Sequence, residues 1–204
     1  MVSVAIFDYG AGNIFSLKTA FEKNGASIDV ITSFDQAKDF SGILLPGVGN
    51  FDPAIRSIRD YSATQFKDFV QDKIPVLGIC LGMEMFFAKS EEGKEKGLSV
   101  LGGEVVLLPN NMKIPHMGWN TVQIEENHPI FDSIENEEYF YFVHSYFAAP
   151  TEQENILGST QYGNTTFCSV AVKDNVIATQ FHPEKSQQAG LDLLRNFCTM
   201  ESSS

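Results

Sequence analysis

Apolar runs and stretches of helical spacing alternate along the first half of the chain. Val2–Phe7 is an apolar run with β-branched residues, closed by the turn-rich segment Asp8–Asn13. From Ile14 to Lys23 the apolar positions Ile14, Leu17, Ala20 and Phe21 share one helical face, and Gly25 follows as a stop. Ser27–Ile31 and Gly42–Leu45 read as two further strands, the second running into Pro46-Gly47-Val48-Gly49. Helices are expected near Pro53–Ile58 and Ala63–Gln71, a fourth strand at Val76–Ile79, and a helix at Leu81–Ala88. Continuous apolar strands alternating with helices predict a parallel sheet covered on both faces. Sites in such sheets lie at the carboxyl ends of the strands. Asp8–Asn13, Pro46–Gly49 and Cys80 all fall on that edge.

The pattern then changes. Glu91–Lys96 is a run of charges that reads as solvated surface. Shorter strands follow at Gly103–Leu108, Thr121–Ile124, Glu138–Val143, Ile156–Gln161, Thr166–Val172 and Val176–Phe181, closed by a helix near Gln187–Cys198. Glu201–Ser204 is expected to fray. The fold class is therefore α/β: a central, mostly parallel sheet flanked by helices, with an antiparallel extension in the second half. No repeat or linker divides the 204 residues, so 1–204 is read as one domain.

Composition narrows the function. Seventeen phenylalanines point to an aromatic-rich core. A net charge of −12 argues against nucleic-acid binding, which needs clustered Lys and Arg, and leaves a zwitterionic substrate open. The three cysteines, Cys80, Cys168 and Cys198, form neither a disulfide framework nor a metal-ligand pattern, and fit a reducing cytosol. The start of the chain lacks the basic residues of a signal peptide. No apolar run approaches the ~18 residues of a membrane span.

Chemistry concentrates at Pro75-Val-Leu-Gly78-Ile-Cys80-Leu-Gly82, an apolar run into a glycine-flanked cysteine with helix formers after it. This is the form of a nucleophile elbow, a side chain carried on a sharp strand-to-helix turn. A helix N-terminus there is expected to lower the thiol pKa below ~8.5. A buried structural cysteine at a strand end is the alternative. Among the four histidines, His182 ends another apolar run, in Phe181-His182-Pro183-Glu184. Pro183 pushes His182 toward extended backbone, and residues two apart then share a face. Glu184 can accept the Nδ1–H of His182, leaving Nε2 to take a thiol proton. Cys80, His182 and Glu184 thus read as a triad, against the alternative of a surface turn.

Other segments add to this reading. Acyl transfer needs N–H donors aimed at an oxyanion; Leu81 supplies one, and Val48 or Gly49 a second. Ile114–Asn120 reads as a Pro/Gly-rich loop holding the single tryptophan, Trp119, and suits an interface; a loop folded over its own core is the alternative. Tyr139–Tyr146 reads as an aromatic strand with a polar end. His144 is a candidate second base without an orienting carboxylate two residues away. His128 reads as a surface residue.

Together these motifs resemble the class I (triad) glutamine amidotransferases over nearly the whole chain. The elbow and His182-Pro183-Glu184 carry the general likeness. Asp8-Tyr-Gly-x-Gly-Asn13, Pro46-Gly-Val-Gly49, Pro115-His-Met-Gly-Trp-Asn120, His144-Ser-Tyr146 and Phe181–Ser186 carry a likeness to the branch serving imidazole glycerol phosphate synthase. Relatives serving other synthases usually have Pro-Gly-Gly at the second of these. The resemblance implies hydrolysis of L-glutamine through a Cys80 thioester, with no cofactor or metal. It implies delivery of ammonia to a separate (β/α)8-barrel cyclase subunit in a heterodimer, with weak glutaminase activity until that partner binds its ligand. It places Gly47, His144, Ser145 and Tyr146 in the substrate set, and Asn13, Pro115, Met117, Trp119 and Lys185 at the partner interface. Spacing adds Glu84: four residues after Cys80, it shares that helix face and is expected to bind substrate. Glu84 departs from the usual glutamine. Two other classes compete: a cysteine hydrolase or peptidase with the same triad, and a non-catalytic binding protein on the same scaffold.

Overall fold

The computed structural model describes residues 2–10, 12–59 and 74–200. The helix expected at Ala63–Gln71 and the tail Glu201–Ser204 lie outside the described residues.

Ser3–Phe7 (β1), Ser27–Ile31 (β2), Gly42–Gly47 (β3) and Val76–Cys80 (β4) pair in parallel, as does Val176–Thr179 (β11) against β4. The sheet continues antiparallel through Thr165–Lys173 (β10), Ile156–Tyr162 (β9), His116–Ile124 (β6) and Glu138–His144 (β7). Its order is β2-β1-β3-β4-β11-β10-β9-β6-β7, beside a smaller pair of Gly103–Leu107 (β5) and Tyr146–Pro150 (β8). This is the mostly parallel sheet with an antiparallel extension that the residue pattern predicts.

Alternation along the buried strands sorts the core onto two faces. Ala5, Phe7, Ile43, Leu45 and Val76 pack with Phe51, Ile55 and Ile58 of the helical residues 51–59 (α2), and with Phe86 and Phe87. Val4, Ile6, Leu44, Leu77 and Ile79 pack on Leu17 and Phe21 of Ile14–Lys23 (α1), and on Leu193, Leu194 and Phe197 of Gln187–Thr199 (α4). Each fully buried phenylalanine contributes about 1.5–3 kcal/mol by leaving water, so these rings dominate the packing.

Three elements differ from the pattern-based expectation. The helix after Cys80 covers only Leu81–Met85 (α3). Its carbonyls are taken by a distant loop: Leu98 N–H donates to Met85 O at 2.8 Å, and Val100 N–H to Phe86 O at 2.8 Å. Second, Ile114–Asn120 is not a loop throughout, because β6 begins at His116 and pairs with β7 from His116↔His144 to Val122↔Glu138. Third, the chain turns at Ser145 and starts β8, a strand the aromatic run conceals.

Register places the chemistry. Gly47 lies beside Cys80, so the segment after β3 and the end of β4 meet at one edge. Thr179 lies beside Ile79, so the residues after β11, His182 among them, emerge at that edge too.

Candidate active site

Cys80 ends β4 and precedes α3 with φ 54° and ψ −108°. Positive φ is uncommon for a non-glycine residue and stores strain that the surroundings must hold in place. Close packing holds it. A Cβ on Gly82 would sit 1.8 Å from the Leu45 carbonyl oxygen, and one on Gly78 would sit 2.4 Å from a Phe86 ring carbon. Only glycine fits at either place. Cys80 is 8% exposed, with Sγ 3.9 Å from the carbonyl oxygen of Val143.

The thiol pKa is raised, contrary to the expectation from a helix N-terminus. Burial is the largest cause and the Glu84 carboxyl the second; the Leu81 N–H pulls it down, Glu184 pushes it up and Lys185 pulls it down. Five residues of helix carry little dipole against full desolvation. The resting group is a neutral thiol that needs a base.

His182 lies in extended backbone before a 3₁₀ turn, Pro183–Lys185, rather than on a continued strand. The turn still brings Glu184 Oε1 to 2.9 Å from His182 Nδ1, with both side chains 2% exposed. The carboxylate accepts Nδ1–H, which leaves the lone pair on Nε2. That Nε2 is buried and has no hydrogen-bond partner. Ser186, a residue that carried no role in the sequence, anchors the turn. Its Oγ donates to His182 O at 2.6 Å and accepts Tyr141 N–H at 3.0 Å, while His182 N–H donates to Tyr141 O at 2.9 Å.

Cys80, Leu81 and His182 line one cavity of about 410 Å³. Val48 and Gly49 form another side, and Val143, His144, Ser145 and Tyr146 a third. Gly47 is not a lining residue: it packs under the elbow, where a Cβ would sit 2.5 Å from Leu81 Cβ. The buried Tyr9 hydroxyl donates to the Pro46 carbonyl and holds the base of the Val48–Gly49 segment. Burial raises the Tyr9 pKa, so the hydroxyl keeps its proton.

Two carboxyl groups reach the cavity. Glu84 is 5% exposed and accepts Gln180 Nε2–H at 3.2 Å. Burial raises its pKa to about 8, opposed by the Gln180 hydrogen bond and reinforced by Glu92. A largely protonated Glu84 has the shape of a glutamine. Glu92, from the run read as solvated surface, is the second. Its Oε2 accepts Phe51 N–H at 2.7 Å, Asp52 accepts Lys94 and Glu95 N–H at 2.9 Å, and Glu95 pairs with Arg59 at 2.6 Å. The run clasps the first turn of α2. Nothing in the sequence separates Glu92 from its charged neighbours.

The interface candidates lie outside the pocket except Pro115, which lines it. Met117 and Trp119 are exposed on one face of β6. Trp119 meets Tyr141 edge-on at 6.1 Å, and Lys185 Nζ lies 5.9 Å over the Tyr141 ring. Asn13 caps α1 by accepting Ser16 N–H at 3.2 Å. His128 is half-buried and accepts Ile130 N–H at 3.2 Å, a local cap rather than a free surface group. Among the described residues no group of three or more His, Cys, Asp or Glu could hold a metal ion, and no helix is long and apolar enough to cross a membrane.

Known proteins share this arrangement of sequence and fold. The glutamine amidotransferase class-I family matches residues 5–200. A protein of Methanocaldococcus jannaschii named imidazole glycerol phosphate synthase subunit HisH is 45% identical over 195 residues, covering 95% of this chain and 97% of its own. One of the same name from Caldanaerobacter subterraneus is 42% identical over 199 residues, covering 97% and 98%. In fold, the structure of PurLQS from Thermotoga maritima has a TM-score of 0.77 at 16% identity, covering 96% of this chain and 97% of that one. A glutamine amidotransferase from the same organism has a TM-score of 0.64 at 17% identity, covering 92% and 78%. The chain belongs to the class I glutamine amidotransferases, within the HisH family of imidazole glycerol phosphate synthase subunits.

Proposed function

We propose that this chain hydrolyses the side-chain amide of L-glutamine through a thioester on Cys80 and passes the ammonia to a separate cyclase subunit. His182 Nε2 removes the Cys80 proton as Sγ attacks the amide carbon. Leu81 N–H and a peptide N–H from Val48 or Gly49 receive the oxyanion. His182 then returns the proton to the departing nitrogen, and ammonia leaves. Water, deprotonated by His182, cleaves the thioester to glutamate and restores the thiol. Glu184 holds the imidazole in the Nδ1–H tautomer throughout. Glu84 and Glu92 are the acceptors for the substrate's α-ammonium group, against the Ser145–Tyr146 wall.

The observation that carries this reading is His182 Nε2, buried and unpaired in the tautomer of a base, on the cavity that Cys80 lines. Three free cysteines support a cytosolic setting. The net charge of −12 supports a partner that is neither nucleic acid nor an anionic membrane. The partner is a (β/α)8-barrel cyclase, docked on the face formed by Met117, Trp119 and Lys185, with Asn13 and Pro115 nearby. Mass spectrometry after treatment with a glutamine-analogue electrophile tests the nucleophile. One adduct on Cys80, absent in Cys80→Ala and blocked by glutamine, is expected. Labelling that persists in Cys80→Ala contradicts it.

A further inference from the structure

Two buried histidines that the proposed mechanism leaves unused form one hydrogen-bonded chain. His144 Nδ1 lies 2.8 Å from the Tyr146 carbonyl oxygen, which can only accept, so Nδ1 carries a proton. His144 Nε2 lies 2.9 Å from His116 Nδ1. His116 Nε2 lies 3.3 Å from Asn120 Nδ2, whose amide also donates to Gln161 O at 3.0 Å while its Oδ1 accepts Thr121 N–H at 2.9 Å. Exchanging the oxygen and nitrogen of that amide would set two acceptors against each other at Gln161. The amide orientation is therefore fixed, and Nδ2 donates to His116 Nε2. A proton on His116 Nε2 would meet that donor, so His116 carries its proton on Nδ1 and gives it to His144 Nε2. The chain admits one arrangement, both rings neutral in the Nδ1–H form.

Burial acts the same way. His116 is 3% exposed and lowered to about 4; His144 is 5% exposed and lowered to about 3. His116 is also stacked between Tyr162, at 4.0 Å, and Phe142, at 4.9 Å. The titratable groups facing His144 are His116 from β6 and His182 from the turn after β11. Cys80, Glu84, Glu92 and Tyr146 share its cavity.

The chain ends at the wall of the pocket. We infer that His116 is a positioning residue for the glutamine site: its Nδ1–H holds His144 neutral, and His144 in turn fixes the Tyr146 carbonyl and the Ser145–Tyr146 wall. His144 consequently offers neither ring nitrogen to substrate, and no positive charge competes with the imidazolium that forms at His182. Its ring therefore acts through the backbone it holds, not as a ligand or second base. The inference rests on the glutaminase reading for its effect on substrate, but not for its proton arrangement.

Two measurements test it. Nitrogen-15 spectra of the histidine side chains in the full chain should show His116 and His144 as Nδ1–H tautomers that do not titrate between pH 5 and 8. An Nε2–H tautomer or a titration in that window overturns the inference. Steady-state glutamine hydrolysis with the cyclase subunit present should show KM raised about tenfold in His116→Phe, with kcat within about twofold, because the ring stack survives and the donor does not. His116→Asn, whose Nδ2 can stand in for Nδ1, should recover KM to within about threefold. Wild-type KM in His116→Phe, or an Asn variant as impaired as the Phe variant, overturns it. If the wild type releases no ammonia, the glutaminase reading falls alone, and the spectra still decide the proton arrangement.

Discussion

Glu84 is a buried carboxyl beside the proposed nucleophile, and its charge raises the Cys80 pKa. Its pKa is raised from 4.5 to about 8 by burial, so the folded protein keeps a proton that the unfolded chain has lost. Between those values the folded state binds more protons, and stability falls as pH rises through the window. Glu84→Gln removes that slope; urea unfolding at pH 5 and pH 8 should show the variant gaining on the order of 3 kcal/mol relative to wild type at the higher pH. A parallel pH dependence in both proteins contradicts the buried, protonated state. Glutamine KM in the same pair, measured with the partner, tests substrate contact, and equal values remove Glu84 from the binding set. His182→Ala should abolish acylation, whereas Glu184→Gln should only weaken it, since the carboxylate orients the base; full kcat in Glu184→Gln is the contrary result. Ser186→Ala takes away the hydroxyl that ties His182 O to Tyr141 N–H. It should cost about 1–2 kcal/mol of stability and lower kcat about tenfold; unchanged kcat means the turn holds without it.

At the scale of elements, close contact enforces the elbow. Gly82→Ala pushes a methyl into the Leu45 carbonyl and should destabilise by at least about 1–3 kcal/mol while displacing Cys80; a variant of wild-type stability and activity contradicts that. Elements whose cause is local were legible in the sequence. Asn13 caps α1 and Leu17, Ala20 and Phe21 form its buried face, so its limits coincide with the pattern at Ile14–Lys23. Elements whose cause is remote were not. α3 stops at Met85 because Leu98 takes its carbonyl, and β6 starts at His116 because β7 lies opposite. The same holds in the site. Cys80, His182 and Glu184 sit in short motifs that display their chemistry, whereas Glu92 owes its placement to α2, and the part Ser186 plays at the end of its motif depends on β7. The direction of the Cys80 shift is not legible in the sequence, because burial, which sequence does not display, outweighs one turn of helix.

Across the whole molecule, the parallel half of the sheet delivers Val48, Gly49, Cys80 and His182 to one edge, and the antiparallel half supplies both the cavity wall and the Met117–Trp119 face. Pro115, just before β6, and Val143 and His144 of β7 line the pocket, while Met117 and Trp119 of β6 form the face, so docking on the face borders the pocket. In Trp119→Ala, Kd for the cyclase subunit should rise at least tenfold while unfolding free energy changes by less than about 1 kcal/mol; unchanged affinity and stimulation reject the face. The proposed activity is that of a Cys80 glutaminase governed by its partner. Ammonia release from glutamine, measured for the chain alone, with the cyclase subunit, and with that subunit and the phosphoribulosyl compound on which the proposed cyclase would act, tests it most directly. Slow release from the chain alone, the fastest release with all components, and none from Cys80→Ala in any mixture are expected. Release that ignores the partner, or that survives in Cys80→Ala, contradicts it.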